Sequence, residues 1–125
     1  MMHLLKHTSL WLLFIFYSGQ GIAASQGAIL PAPKKLTDHS YAWIGPLGGP
    51  SADNKGYRMN LGFIVGKKAV AVVDAGYTEA MATEMFEHIK KVTPLPVRYV
   101  INTNSQAHRF MGNGVFKKLG ATPGI

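Results

Sequence analysis

Two apolar runs, Leu61 to Val65 and Ala69 to Val73, stand on either side of Gly66-Lys67-Lys68 and predict two strands joined by a tight turn. The second run is continuous rather than alternating, the pattern of a strand covered on both faces, so a layered α/β domain is expected. After Asp74-Ala75-Gly76 turns the chain, Met81, Met85, Ile89 and Val92 recur at helical spacing. Thr78 is placed to cap that helix, Glu79 lies in its first turn, and Pro94 stops it. Val97 to Ile101 reads as the next strand. Gly112 to Leu119 has the ends of a short helix, with Gly120 just beyond it. Upstream, Tyr41 to Ile44 has the aromatic and β-branched content of a short strand. Gly45 to Gly56, with four glycines and two prolines, is a loop long enough to be functional. The predicted order is β, ββ, α, β, α.

The amino end follows a different pattern. Lys6 with His3 and His7 makes a weakly basic start, Leu10 to Tyr17 is unbroken and apolar, and small residues follow at Gly21 to Ser25, so residues 1–23 are expected to be a cleavable secretory leader. Eight apolar residues fall short of the roughly 20 that span a bilayer, so no stable membrane span is expected after cleavage. The expected product is periplasmic or secreted. Residues 24–40, punctuated by Pro31 and Pro33, read as a flexible linker, and residues 41–125 as the domain.

Composition narrows the chemistry. With no cysteine, disulfides, thiolate metal sites and a lipid-anchored amino terminus are excluded. The formal charge is +7, and loss of the leader removes only Lys6. The cations come largely as pairs, Lys34-Lys35, Lys67-Lys68, Lys90-Lys91 and Lys117-Lys118, at expected turns or helix ends. Lysines at helix carboxyl termini complement the dipole. No long basic run with interleaved aromatics is present, which argues against nucleic acid and leaves small anions as the partner class. Nucleophile elbows, phosphate loops and H-E-x-x-H are absent.

The most informative segment is Val100-Ile-Asn-Thr-Asn-Ser-Gln-Ala-His-Arg-Phe-Met-Gly-Asn113. It resembles the signature of the metallo-β-lactamase superfamily, in which a strand ending in V-I-N-T runs into H-x-H-x-D-H and, two residues on, G-N. Asn60 to Gly66 and Ala69 to Gly76 are similar to the family's early hairpin, and Thr93 to Thr103 to the strand that delivers its metal loop. The resemblance covers roughly Tyr41 to Ala121, and the subfamily it best matches is periplasmic and associated with quinoprotein oxidation. It implies the amino-terminal half of an αβ/βα sandwich and zinc as the family cofactor. The family's four ligand positions fall on Asn104, Gln106, His108 and Arg109. A carboxamide is a poor zinc ligand and a guanidinium repels the metal, so only His108 remains as a candidate, and this chain is expected to bind no zinc.

Three readings of function follow. The first is an exported metallo-β-lactamase-like protein, truncated near Gly120-Ala-Thr-Pro-Gly-Ile125, where the Pro-Gly pair is expected to interrupt the next strand, and inactive as written. The second is a metal-dependent hydrolase of an ester, thioester or lactam when full length. The third is a non-catalytic module in which Asn104, Ser105, Gln106 and Arg109 bind a small anion. Asp74 ends a buried strand and is expected to accept hydrogen bonds from backbone near Asn104, to pair with Arg109, or simply to start a turn. His88 is expected to be solvated and His39 to have no role. Half a sandwich would leave an apolar sheet face open, so self-association through that face is expected.

Overall fold

The computed structural model describes residues 27–124. The leader expected over residues 1–23 lies outside the described residues. One six-stranded mixed sheet runs in chain order: β1 (Lys34–Lys35), β2 (Ser40–Trp43), β3 (Leu61–Val65), β4 (Val70–Val73), β5 (Val97–Ile101) and β6 (Thr122–Gly124). The first four are antiparallel neighbours, while β5 pairs in parallel with β4 and β6 with β5. Between them lie α1 (Glu79–Val92), α2 (Ala107–Phe110) and α3 (Asn113–Lys118). The fold is α/β.

The local signals account for the central elements. The Thr78 side chain accepts a hydrogen bond from the Met81 N–H at 3.1 Å, Glu79 sits in the first turn and Lys90 and Lys91 in the last, so α1 is capped and complemented at both ends. Its buried residues Met81, Ala82, Met85 and Ile89 pack with Phe63, Val70, Val72 and Phe116 in one core. Val92 was expected on that stripe but, as the final residue of the helix, is 37 % exposed. Phe63 is the aromatic hub. Tyr41 stacks on it at 4.7 Å between ring centroids, and Trp43 meets it at 5.6 Å.

Several expectations are corrected. From residue 29 on, the segment read as a flexible linker is tied down. The Glu84 carboxylate accepts the N–H groups of Ile29 and Leu30, the Trp43 indole donates to the Pro31 carbonyl at 2.9 Å, Leu30 is buried, and Lys34–Lys35 adds an edge strand. His88 is not simply solvated but packs edge-on to Trp43 at 5.8 Å. Pro123-Gly124 does not interrupt a strand. It lies within β6, where Pro123 costs no ladder bond that an edge position could not spare. The short α2 had no clear sequence signal.

The sheet is not covered on both faces as the continuous β4 run suggested, and it shows the open apolar face expected of half a sandwich. On β4, Val70 and Val72 are buried under the helices while Ala71 and Val73 are only half-buried. The register between β4 and β5 shifts so that Val70 pairs with Val97 but Ala71 with Tyr99, leaving Arg98 as the extra residue. Val97 and Val100, three apart, therefore both face the core. Tyr99 and Ile101 turn to the opposite side, which also carries Ile64, and no element of the described residues covers them.

Candidate functional site

The segment after β5 is sewn onto the end of β4. Asp74 N–H donates to the Ile101 carbonyl at 2.8 Å, Ala75 N–H to the Arg109 carbonyl at 2.7 Å, and Gly112 N–H to the Gly76 carbonyl at 3.1 Å. The approach at Gly112 is so close that a Cβ there would lie 2.1 Å from the Ala75 carbonyl oxygen, which only glycine avoids. The G-N pair of the motif thus sets how near the loop can come to β4. Asp74 itself adopts the left-handed backbone region with φ 60°, uncommon for a residue with a side chain, at the point where the strand turns.

That turn points a buried carboxylate at the loop. Asp74 is 2 % exposed; its Oδ1 accepts the Thr103 N–H at 2.8 Å and its Oδ2 the Thr103 hydroxyl at 2.9 Å. Oδ2 also accepts Arg109 Nη1 at 2.8 Å, an ion pair in which the arginine side chain is 23 % exposed. The same Nη1 donates to the Asn60 carbonyl at 3.1 Å, and Gly45 N–H donates to Asn60 Oδ1 at 3.0 Å. Arg109 therefore joins the end of β4, the approach to β3 and the 45–47 loop. Among the described residues, its Nε is a buried donor without a partner.

The four residues read from the sequence as one polar pocket are divided. Asn104 and Ser105 line a hollow of about 500 Å³ with Asn102, Phe110 and Asn113. Gln106 and Arg109 line a separate cleft of about 400 Å³ with His108, Asn60, Arg58 and the loop residues Gly45 to Leu47. Inside the loop, Asn104 Oδ1 accepts the Gln106 N–H at 2.9 Å, a local turn that occupies the carboxamide oxygen. Asn102 Oδ1 and Asn113 Oδ1 are buried without partners among the described residues. Arg58 and Asn60 were missed at the sequence level. The one available signal was the alternation Tyr57, Arg58, Met59, in which a lone cation stands between two apolar residues that the structure buries. His39 stays exposed; its carbonyl accepts the Val65 N–H and its own N–H donates to the Thr37 hydroxyl.

His108 lies half-buried on α2. Its imidazole pKa is pushed below the ordinary histidine value, first by burial and then by the positive charges of Arg109 and Arg58, against a smaller opposing pull from Asp74. A histidine so placed is neutral at physiological pH and chemically able to ligate. It stands alone, however. Among the described residues no group of three or more His, Asp or Glu side chains is gathered to hold a metal.

The donor set at Asn104, Gln106, His108 and Arg109, where the resemblance would put metal ligands, is two carboxamides, one imidazole and one guanidinium already paired with Asp74, and these side chains do not suit zinc. The frame around it does fit: the strand, the loop pinned by Asp74 and Thr103, and the glycine that closes it. The sequence model of the metallo-β-lactamase superfamily, whose members usually bind zinc, matches residues 58–125, and this chain belongs to that superfamily.

Proposed function

We propose that the protein is an exported member of the superfamily in which this part of the metal site has become a hydrogen-bonded polar junction and no longer serves zinc-dependent hydrolysis. The observation that carries the reading is the Arg109–Asp74 pair at 2.8 Å, which puts a fixed cation where the family pattern has a ligand. A guanidinium held in that pair is permanently protonated and has no lone pair to offer a metal, so the position cannot ligate. Export is supported by the basic, apolar and small-residue succession of residues 1–23. Equilibrium zinc titration of the full chain at neutral pH tests the metal reading. No tight binding is expected, whereas one tightly held zinc per chain would overturn it. The variant Asn104→His with Gln106→His, which restores two imidazoles, should bind zinc at least about ten-fold more tightly than the parent chain.

A second reading, a non-catalytic anion-binding module, is favoured by one observation: the cleft beside the junction is lined by two arginines, Arg58 and Arg109.

A further inference from the structure

The geometry points to a small monoanionic organic acid as the ligand of the cleft between the 45–47 loop and the 106–109 segment, with Arg58 as the residue that recognises its carboxylate. The inference rests on the anion-binding reading and assigns it a ligand class and a recognising side chain. Arg109 has been the obvious candidate from the sequence, but its charge is matched: Asp74 sits 2.8 Å away, buried, and the guanidinium is held further by the Asn60 carbonyl. Arg58 is the cation left over. It is exposed, lines the same cleft, and no ion pair forms to it among the described residues. Its neighbours Tyr57 and Met59 are buried at 6 % and 3 % exposure, so the backbone that carries Arg58 is anchored while its side chain is free to meet a ligand.

The charges then select the ligand. Arg58 and Arg109 supply two positive charges and Asp74 removes one, which matches a single negative charge. A phosphate dianion would leave one charge unmatched. The forked guanidinium of arginine suits a carboxylate, and the Gln106 carboxamide offers a neutral donor beside it. The volume, about 400 Å³, is that of a small-molecule site, and Pro46, Leu47 and Met59 give it an apolar wall for the rest of the acid. Leu47, fully exposed at the rim, is otherwise an unexplained apolar side chain in solvent.

The test is calorimetric titration of the full chain with benzoate and, separately, with inorganic phosphate, in metal-free buffer at fixed ionic strength. Benzoate should bind, and Arg58→Gln should weaken it at least about ten-fold while Lys67→Gln, a charge removed from the distant β3–β4 turn, leaves it unchanged; phosphate should bind at least about ten-fold more weakly than benzoate. Circular dichroism of the Arg58→Gln protein, altered at an exposed position, should match the parent. Absence of benzoate binding, equal binding by Arg58→Gln, an equal loss in Lys67→Gln, or phosphate binding as tight as benzoate would each overturn the assignment. Because zinc is absent from these titrations, their failure leaves the metal reading standing. Tight zinc binding in the separate titration would overturn that reading without touching the dependence on Arg58.

Discussion

The two faces of the sheet carry similar residues and meet different fates. Under the helices, Phe63, Val70, Val72, Val97 and Val100 are each no more than 2 % exposed; on the other side Ile64 is 46 %, Ile101 44 % and Tyr99 58 % exposed, though these too are strand-forming and apolar. Hydrophobicity therefore makes a strand fit for burial without saying which face will be buried. Asp74 lies at the join. It ends β4, lines the shallow apolar hollow on the open side with Ile64 and Val73, and is itself fully enclosed by Thr103 and Arg109.

The strongest way to break this comparison is to remove the hub of the covered face. Phe63→Ala should destabilise the fold by about 3–5 kcal/mol, since it leaves a cavity and removes both aromatic contacts. Equilibrium denaturation in urea measures it, and a loss below about 1 kcal/mol would mean that the helix-covered core is not the main source of stability.

Next comes the join. Asp74→Ala should cost about 2–4 kcal/mol, because Arg109 and the Thr103 N–H lose their acceptor in a mostly enclosed site. Asp74→Gly relaxes the left-handed backbone but also lacks the carboxylate. If the carboxylate dominates, the glycine variant should recover no more than about 1 kcal/mol of that loss in the same measurement.

The open face should respond in the opposite sense. Ile64→Lys combined with Tyr99→Lys is expected to leave unfolding free energy within about 0.5 kcal/mol, since both side chains already meet solvent. The same pair should lower self-association: the parent chain is expected to sediment above monomer mass through its exposed apolar sheet face, and the double variant to move toward monomer. Identical sedimentation of the two would show that the face does not draw copies together.

The smallest effect belongs to His108, on the rim. Its folded pKa lies below the ordinary value, so as pH falls the unfolded chain takes up the proton first, and stability declines through the range just below the ordinary imidazole pKa and is regained as pH rises. Removing the nearby charge with Arg58→Gln should raise the His108 pKa in an NMR titration. No movement would mean that burial and Arg109 hold it down without Arg58.

By itself, the amino-acid sequence determined the β3–β4 hairpin, the capped helix from Glu79 to Val92, strand β5 and membership of the superfamily. These are local or periodic signals: a turn of four residues, a cap three residues from its donor, an apolar stripe repeating along one helix. Only the tertiary structure decided the rest. It turned Val100 inward by inserting Arg98 as an extra residue against β4, drew Leu30 into the core through Glu84 on a distant helix, and admitted Pro123 to a strand because that strand is an edge. It also divided Asn104 and Ser105 from Gln106 and Arg109 and brought Arg58 to the latter pair. Each of these depends on which surfaces meet across dozens of residues, and a pattern read along one stretch of chain carries no record of its partner.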